Sequence, residues 1–173
     1  MNPRLQQLFH RLEDDRCQLA ALLQKHPEEY LHRNPRPRKW SVMEILLHLV
    51  TSERLTVNYM RKKSLVIDSL KDAGLMESLK LTLLVISQRL PLRYKAPTVV
   101  LEHTPAMVPL PALLTQWDEI RTDLNVWLDS VADRHLHRLI YKHPVVGRLD
   151  VVQALTFMQA HFHHHLPQIA RLL

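Results

Sequence analysis

Apolar residues recur in the first part of the chain at the spacing of an α-helix. They share one face of that helix and comprise Leu5, Leu8, Leu12, Leu19 and Leu23. Because steps of three, four and seven residues return to the same side of a helix, and because Pro3 suits a first turn, the pattern predicts a first helix over residues 3–25. The dipeptide His26-Pro27 disfavours its continuation.

A basic loop and a strong helix start come next. The segment LHRNPRPRK, residues 31–39, is basic and interrupted by proline, which predicts an irregular connection. Ser41 and Glu44 then have the spacing at which each side chain can bond the other's backbone N–H. This capping box predicts a second helix from Val42 to about Lys63.

A third helical pattern leads into a proline-rich crossover. The spacing of leucine and isoleucine predicts an accessory helix over residues 75–90, bent or broken near Gly74. Five prolines lie between Pro91 and Pro111, both included. Proline removes a backbone donor and interrupts regular structure, so we expect an irregular crossover here, of the kind that often borders a site.

The last third of the chain predicts two further helices. The first covers residues 111–131, and its buried face comprises Leu114, Trp117, Ile120, Leu124 and Trp127. The sequence of residues 132–150 predicts a loop. Asp150 and Gln153 then repeat the capping spacing, which predicts a last helix running to Leu173.

These elements together predict an all-α fold. Four long amphipathic helices and one accessory helix indicate a four-helix bundle in a single domain, residues 1–173, and the long crossover allows consecutive helices to run parallel. With only two glycines in 173 residues, an all-β fold built on tight turns is excluded.

Composition and charge narrow the function classes. The longest apolar run, ILLHLV, is far too short to span a bilayer, and the N-terminus lacks the apolar core of a signal peptide, so we expect a cytoplasmic, soluble protein. Cys17 is the only cysteine, which leaves nitrogen and oxygen as metal ligands. The net charge of +6 permits nucleic-acid binding through the basic loop (Arg33, Arg36, Arg38 and Lys39), although no recognised nucleic-acid module is present.

Four histidines are close together in the last predicted helix. His161 and His165, four residues apart, share a face, and two such imidazoles can bind one divalent metal ion. His163 lies about 200° away from His161 around the helix and is expected to be exposed. His164 lies between these two faces.

A third ligand is available in the second helix. His48 interrupts the apolar run ILLHLV, where an uncompensated imidazole would be costly to bury. With His161 and His165 it would form a three-nitrogen site that leaves coordination positions open, as in catalytic zinc sites.

Spacing alone leaves other interpretations open. His48 can also be a hydrogen-bonded core histidine, and an isolated HxxxH pair is common by chance. Gln168 either orients a ligand or faces solvent, while Pro167 is expected to kink the helix beside it. Arg93, Glu102 and His103 in the crossover are candidates to line a pocket.

Two segments resemble a known family. KWSVMEILLHLVTSER resembles the W-S-x-x-E-h-h-x-H-L-x-x-x-E-R helix of the DinB/YfiT-like superfamily, and HPVVGRLDVVQALTFMQAHFHHHLPQI resembles its final H-P-x-x-G and H-x-x-x-H-x-x-Q segment. The resemblance spans nearly the whole chain. It implies a four-helix bundle, a divalent metal ion, commonly zinc or nickel, held at His48, His161 and His165, and a homodimer.

The resemblance also implies candidate activities. A metal-dependent enzyme is favoured, either a hydrolase or a thiol-dependent transferase acting on a small molecule. The alternative is a non-catalytic, metal-stabilised binding or stress-response protein, with nucleic-acid binding a distant third. Metal identity, substrate, and the roles of His103, His163, His164 and Gln168 are left open by the sequence.

Overall fold

Helices make up most of the molecule. A computed structural model describes residues 1–37, 39–89, 98–105 and 107–173. Its α-helices are α1 (Pro3–Leu23), α2 (Glu28–His32), α3 (Val42–Ser64), α4 (Leu75–Arg89), α5 (Thr98–His103), α6 (Leu110–Asp129) and α7 (Val151–Ala170). A short antiparallel hairpin consists of β1 (Tyr141–His143) and β2 (Gly147–Leu149), and single 3-10 turns lie at Ile67–Ser69 and Asp133–His135. The long predicted helices are therefore present, with ends displaced by a few residues at most.

Both predicted capping boxes are formed. At the start of α3, Glu44 N–H donates to Ser41 Oγ at 3.2 Å, and Ser41 N–H donates to Glu44 Oε2 at 2.7 Å. At the start of α7, Gln153 N–H donates to Asp150 Oδ1 at 2.7 Å, and Asp150 N–H donates to Gln153 Oε1 at 3.0 Å. These bonds satisfy N–H groups that a helix end otherwise leaves without a partner, and so fix where α3 and α7 begin.

One apolar core lies between the long helices. Helices α1 and α3 each pack against both α6 and α7, and α4 packs on α7. The face predicted for α1 is buried at Leu5, Leu12, Leu19 and Leu23. Trp117 of α6 and Phe162 of α7 are among the largest fully buried side chains, and their rings lie 6.1 Å apart between centroids.

A buried ion pair joins α3 to α6. Arg121 donates to Glu53 through Nε at 2.9 Å and through Nη2 at 2.7 Å, and the indole N–H of Trp117 donates to Glu53 Oε2 at 2.7 Å. Glu53 and Arg121 are 3% and 2% exposed. A buried carboxylate requires such partners to offset its loss of hydration.

The predicted loop over residues 132–150 is wrong in its second half. Burial alternates along β1, with Tyr141 and His143 buried and Lys142 exposed, because side chains alternate between the two faces of a strand. Gly147 begins β2 with φ of 84°, a backbone conformation that glycine adopts without steric cost. The tight turn therefore depends on one of the chain's two glycines.

Two short helices were also missed. Helix α2 begins after the predicted end of the first helix at residue 25 and overlaps the first two residues of the loop predicted over residues 31–39. Helix α5 lies within the predicted irregular crossover. A helix can form there because its sequence TVVLEH contains no proline and the neighbouring prolines lie outside it. The rest of the crossover includes residues 90–97 and 106, which lie outside the described residues.

None of the helices in the described parts of the chain is both long and apolar enough to cross a bilayer.

Candidate metal centre

His48 lies on the buried face of α3. It is 5% exposed and has buried apolar neighbours along its helix. The α3 capping box places it two turns from the helix start, where α3 faces α7. Its Nδ1 atom is buried and has no hydrogen-bond partner among the described residues.

His161 and His165 face His48 from α7. His165 is 7% exposed and His161 is half-buried. The four-residue spacing places the two rings one above the other, with their centroids 4.9 Å apart. Helix α7 continues through Pro167 to Ala170, so the proline does not end the helix beside the pair.

The three imidazoles meet through their Nε2 atoms. His161 Nε2 lies 3.2 Å from His48 Nε2 and 3.2 Å from His165 Nε2. The three candidate ligand nitrogens all lie within 4.8 Å of one another. Two nitrogens bound to one zinc ion at a tetrahedral angle are about 3.3 Å apart, given bonds of about 2.0–2.1 Å. The observed separations fit a shared ion.

Burial keeps all three rings neutral. Loss of hydration, followed by the nearby charge of His164, lowers the pKa of His48 to about 4. Loss of hydration, followed by His48, lowers the pKa of His165 to about 3. The same loss, followed by the neighbouring histidines, lowers the pKa of His161 well below its ordinary value. Neutral imidazole is the form that binds metal ions.

Hydrogen bonding assigns the protons of the cluster. Gln168 Oε1 lies 3.2 Å from His165 Nδ1, so that Nδ1–H donates to the amide and His165 Nε2 keeps its lone pair. His161 Nε2 contacts two nitrogens but can carry only one proton, so it cannot make a full hydrogen bond to both. A cation accepts a lone pair from each of the three nitrogens, and the donor set therefore fits a divalent metal ion.

Aromatic rings surround the cluster. The ring centroid of Trp40 lies 5.2 Å from that of His48. Phe157, one turn before His161, stacks on that ring at 5.6 Å and 11°. These aromatic rings pack against two of the three histidines of the cluster.

The two remaining histidines of the run do not join the cluster. His163 is exposed, as predicted, and its Nε2 lies 2.8 Å from Asp15 on α1. His164 is half-buried, and its ring centroid lies 5.1 Å from that of His165. Of the crossover candidates, Glu102 and His103 are exposed on α5, and Arg93 lies outside the described residues.

His143 was not assigned a role from the sequence. It is 6% exposed on β1, and its Nδ1 accepts the N–H groups of Val145 and Val146 at 3.2 and 3.3 Å. Its ring centroid lies 4.3 Å from that of Phe157, the ring that also contacts His161. Burial lowers the pKa of His143 to about 4. The H-P-x-x-G motif, which begins at His143, is the feature of the sequence that could have indicated a role for this residue.

The chain also matches the sequence model of a known family. The sequence model of the DinB superfamily matches residues 11–169, a range that includes α3, α7 and all three clustered histidines. No curated protein matches the chain at a significant level. Because the family match covers well over half of the sequence, the chain belongs to the DinB superfamily.

Proposed function

We propose that the chain is a metal-dependent enzyme whose divalent ion, zinc or nickel, is held by His48, His161 and His165. The observation that carries the proposal is the convergence of three neutral imidazoles between α3 and α7, with His161 Nε2 lying 3.2 Å from the Nε2 atoms of both His48 and His165 and all three candidate ligand nitrogens within 4.8 Å of one another. Histidine nitrogen suits both metals. A three-histidine set also leaves coordination positions for other ligands.

A bound ion of this kind supplies Lewis acidity and lowers the pKa of a coordinated water or thiol. The residues of the chain do the rest of the work. Gln168 holds His165 in the tautomer that presents Nε2. Trp40 and Phe157 pack against the rings of His48 and His161 and so orient them. His143 is kept neutral by burial, and its Nδ1 accepts backbone N–H groups, so its proton resides on Nε2.

The reaction is proposed to be hydrolysis or thiol-dependent transfer on a small molecule. Both need an activated oxygen or sulfur nucleophile, and the cluster is suited to either. The fold that supports this site is proposed to be a four-helix bundle of α1, α3, α6 and α7, because α1 and α3 each pack against both α6 and α7.

A second candidate is a metal-stabilised binding or stress-response protein without catalysis. It is favoured by the burial of His48 and His165. The contact between His48 and His161 also joins α3 to α7, although the two residues are 113 positions apart in the sequence. In that case the ion would chiefly hold two helices together.

One experiment separates these candidates. A panel of esters, amides and thiol conjugates is assayed with the wild type and with His48→Ala, while circular dichroism monitors the fold and its unfolding temperature with and without metal. An enzyme is expected to lose turnover in the variant while its helical signal persists. If no panel member turns over and the only change is a lower unfolding temperature, the second candidate is correct.

We also propose that the protein is a homodimer. Helix α4 exposes a row of large apolar side chains at Leu75, Met76, Leu79, Leu83 and Ile86, and exposed apolar stretches of this extent mark interaction surfaces. Sedimentation velocity at micromolar concentration should give the mass of two chains, and a monomer mass would contradict the proposal.

A further inference from the structure

A groove with a volume of about 590 Å³ lies beside the histidine cluster, and none of its described lining residues is one of the three clustered histidines. Its lining includes Asn34, Arg36, Lys39, Trp40 and Glu44, and we refer to it as the basic groove. We propose that the basic groove binds the anionic group, a carboxylate or a phosphate, of a small substrate whose reactive part reaches the three histidines. This inference rests on the proposed function and adds the substrate class.

Hydrogen bonds link the described residues that line the groove. Asn34 Nδ2 donates to the carbonyl of Lys39 at 2.7 Å and to Glu44 Oε2 at 2.6 Å. Lys39 N–H donates to the carbonyl of Arg36 at 3.1 Å. Pro35 and Pro37 restrict the backbone between these bonds. Lining residues that are already held by such bonds lose less conformational entropy when a ligand binds.

The charge of the groove selects an anion. Arg36 and Lys39 are both exposed and line it. Glu44 is the only acidic residue among the described lining residues, and its Oε2 already accepts the Ser41 N–H and the Asn34 amide. Guanidinium and ammonium groups bind carboxylate and phosphate through charge-assisted hydrogen bonds. Arg36 and Lys39 therefore offer an anion two positively charged hydrogen-bond donors.

The position of the groove connects it with the cluster. Trp40 lines the groove and also lies 5.2 Å from His48 between ring centroids. The basic groove and His48 therefore border the same indole ring, so a ligand bound at Arg36 and Lys39 lies next to a side chain that contacts the cluster. The volume is that of a small-molecule pocket, for which about 300–1,000 Å³ is usual. An extended nucleic acid needs a longer basic surface.

Binding of phenyl phosphate, with phenol as the neutral probe, tests the proposal on the full chain as purified. Calorimetry should detect phenyl phosphate, and Arg36→Gln/Lys39→Gln should weaken its binding by about 10-fold or more. The matched control Lys25→Gln/Arg33→Gln removes the same charge from exposed positions that do not line the groove, and should leave binding within about twofold of wild type. A comparison of the affinities for phenylacetate and phenyl phosphate should show whether the groove prefers a carboxylate or a phosphate.

Tryptophan emission gives a local readout. Trp117 and Trp127 are buried in the core, so a change in emission on binding should disappear in Trp40→Phe. Equal weakening in the groove and control variants, or unchanged binding in the groove variant, would overturn the inference. A mixed-sequence oligonucleotide that outcompetes phenyl phosphate would overturn it as well.

The two proposals fail separately. If phenyl phosphate binding depends on Arg36 and Lys39 but no metal-dependent turnover exists, the proposed function is wrong and the anion site remains. If metal-dependent turnover exists and is indifferent to the groove variant for anionic and neutral substrates alike, the anion site is wrong and the enzyme remains.

Discussion

At the scale of single residues, one amide decides which nitrogen of His165 faces the cluster. Gln168 Oε1 accepts from His165 Nδ1 at 3.2 Å, which leaves the lone pair of Nε2 facing His161. Groups that orient a metal-binding histidine in this way commonly affect metal affinity by about 10- to 100-fold when they are removed.

We therefore expect Gln168→Leu to weaken metal binding by about 10- to 100-fold, because Nδ1–H loses its acceptor and the ring its orientation. Competition with a chromophoric chelator measures this. Gln168→Glu is the control, since its carboxylate can still accept from Nδ1–H, and it should bind metal at least as tightly as wild type. Equal affinity for wild type and Gln168→Leu would contradict this role.

His143 predicts how the stability of the metal-free protein depends on pH. Burial lowers its pKa from 6.5 to about 4. Above pH 6.5 the ring is neutral in both folded and unfolded chains. Between 6.5 and 4 only the unfolded chain takes up the proton, so the free energy of unfolding falls by about 1.4 kcal/mol per pH unit for this residue.

Urea unfolding of metal-free wild type and His143→Asn between pH 7 and 5 should show the shallower loss in the variant. Asparagine keeps an acceptor near the Nδ1 position for the turn N–H groups and removes the titrating ring, so the hairpin is retained. Parallel losses of stability in the two proteins would show that His143 does not titrate as its burial requires.

Sequence patterns identify the three clustered histidines better than the residues that support them. The HxxxH spacing and the histidine within an apolar run depend only on helix geometry, which is regular, and so the predicted ligands do come together. The role of His143 depends on a tight turn at Pro144, Val145 and Val146, and helical periodicity carries no information about such a turn.

At the scale of elements, the Glu53–Arg121 pair joins α3, which carries His48, to α6. Arg121→Leu should lower the free energy of unfolding by about 3–5 kcal/mol, because it leaves the Glu53 carboxylate buried without its cation. Chemical denaturation measures the change. The matched control is Arg61→Gln, which breaks an exposed pair with Asp123 between the same two helices and should cost about 0–1 kcal/mol. Similar costs for both variants would contradict the assigned burial.

The long helices could be predicted because each has a repeated apolar face, and α3 and α7 also have capping boxes. The hairpin could not, since strands of three residues provide too few alternations to distinguish from a loop. Helix α5 has only six residues, fewer than two turns, and so shows no period. Tertiary packing against α3 accompanies it.

At the scale of the whole molecule, the site depends on two helices that are far apart in sequence. Helix α3 packs on α6, α7 packs on α1, and α3 and α7 also pack on each other. This packing brings His48 to His161 and His165. Capping boxes fix the starts of α3 and α7, burial holds the rings neutral, and Gln168 fixes the tautomer of His165. Contacts between protein groups thus bring the three nitrogens within 4.8 Å of one another.

The most direct test of this account is the metal content of protein produced without a histidine tag, measured by elemental mass spectrometry. We expect about one divalent ion per chain in wild type and in the exposed-histidine control His163→Gln, and loss of the ion in His48→Ala, His161→Ala and His165→Ala. Retention of stoichiometric metal in those three variants, or its absence from wild type supplied with zinc and nickel, would contradict the central claim.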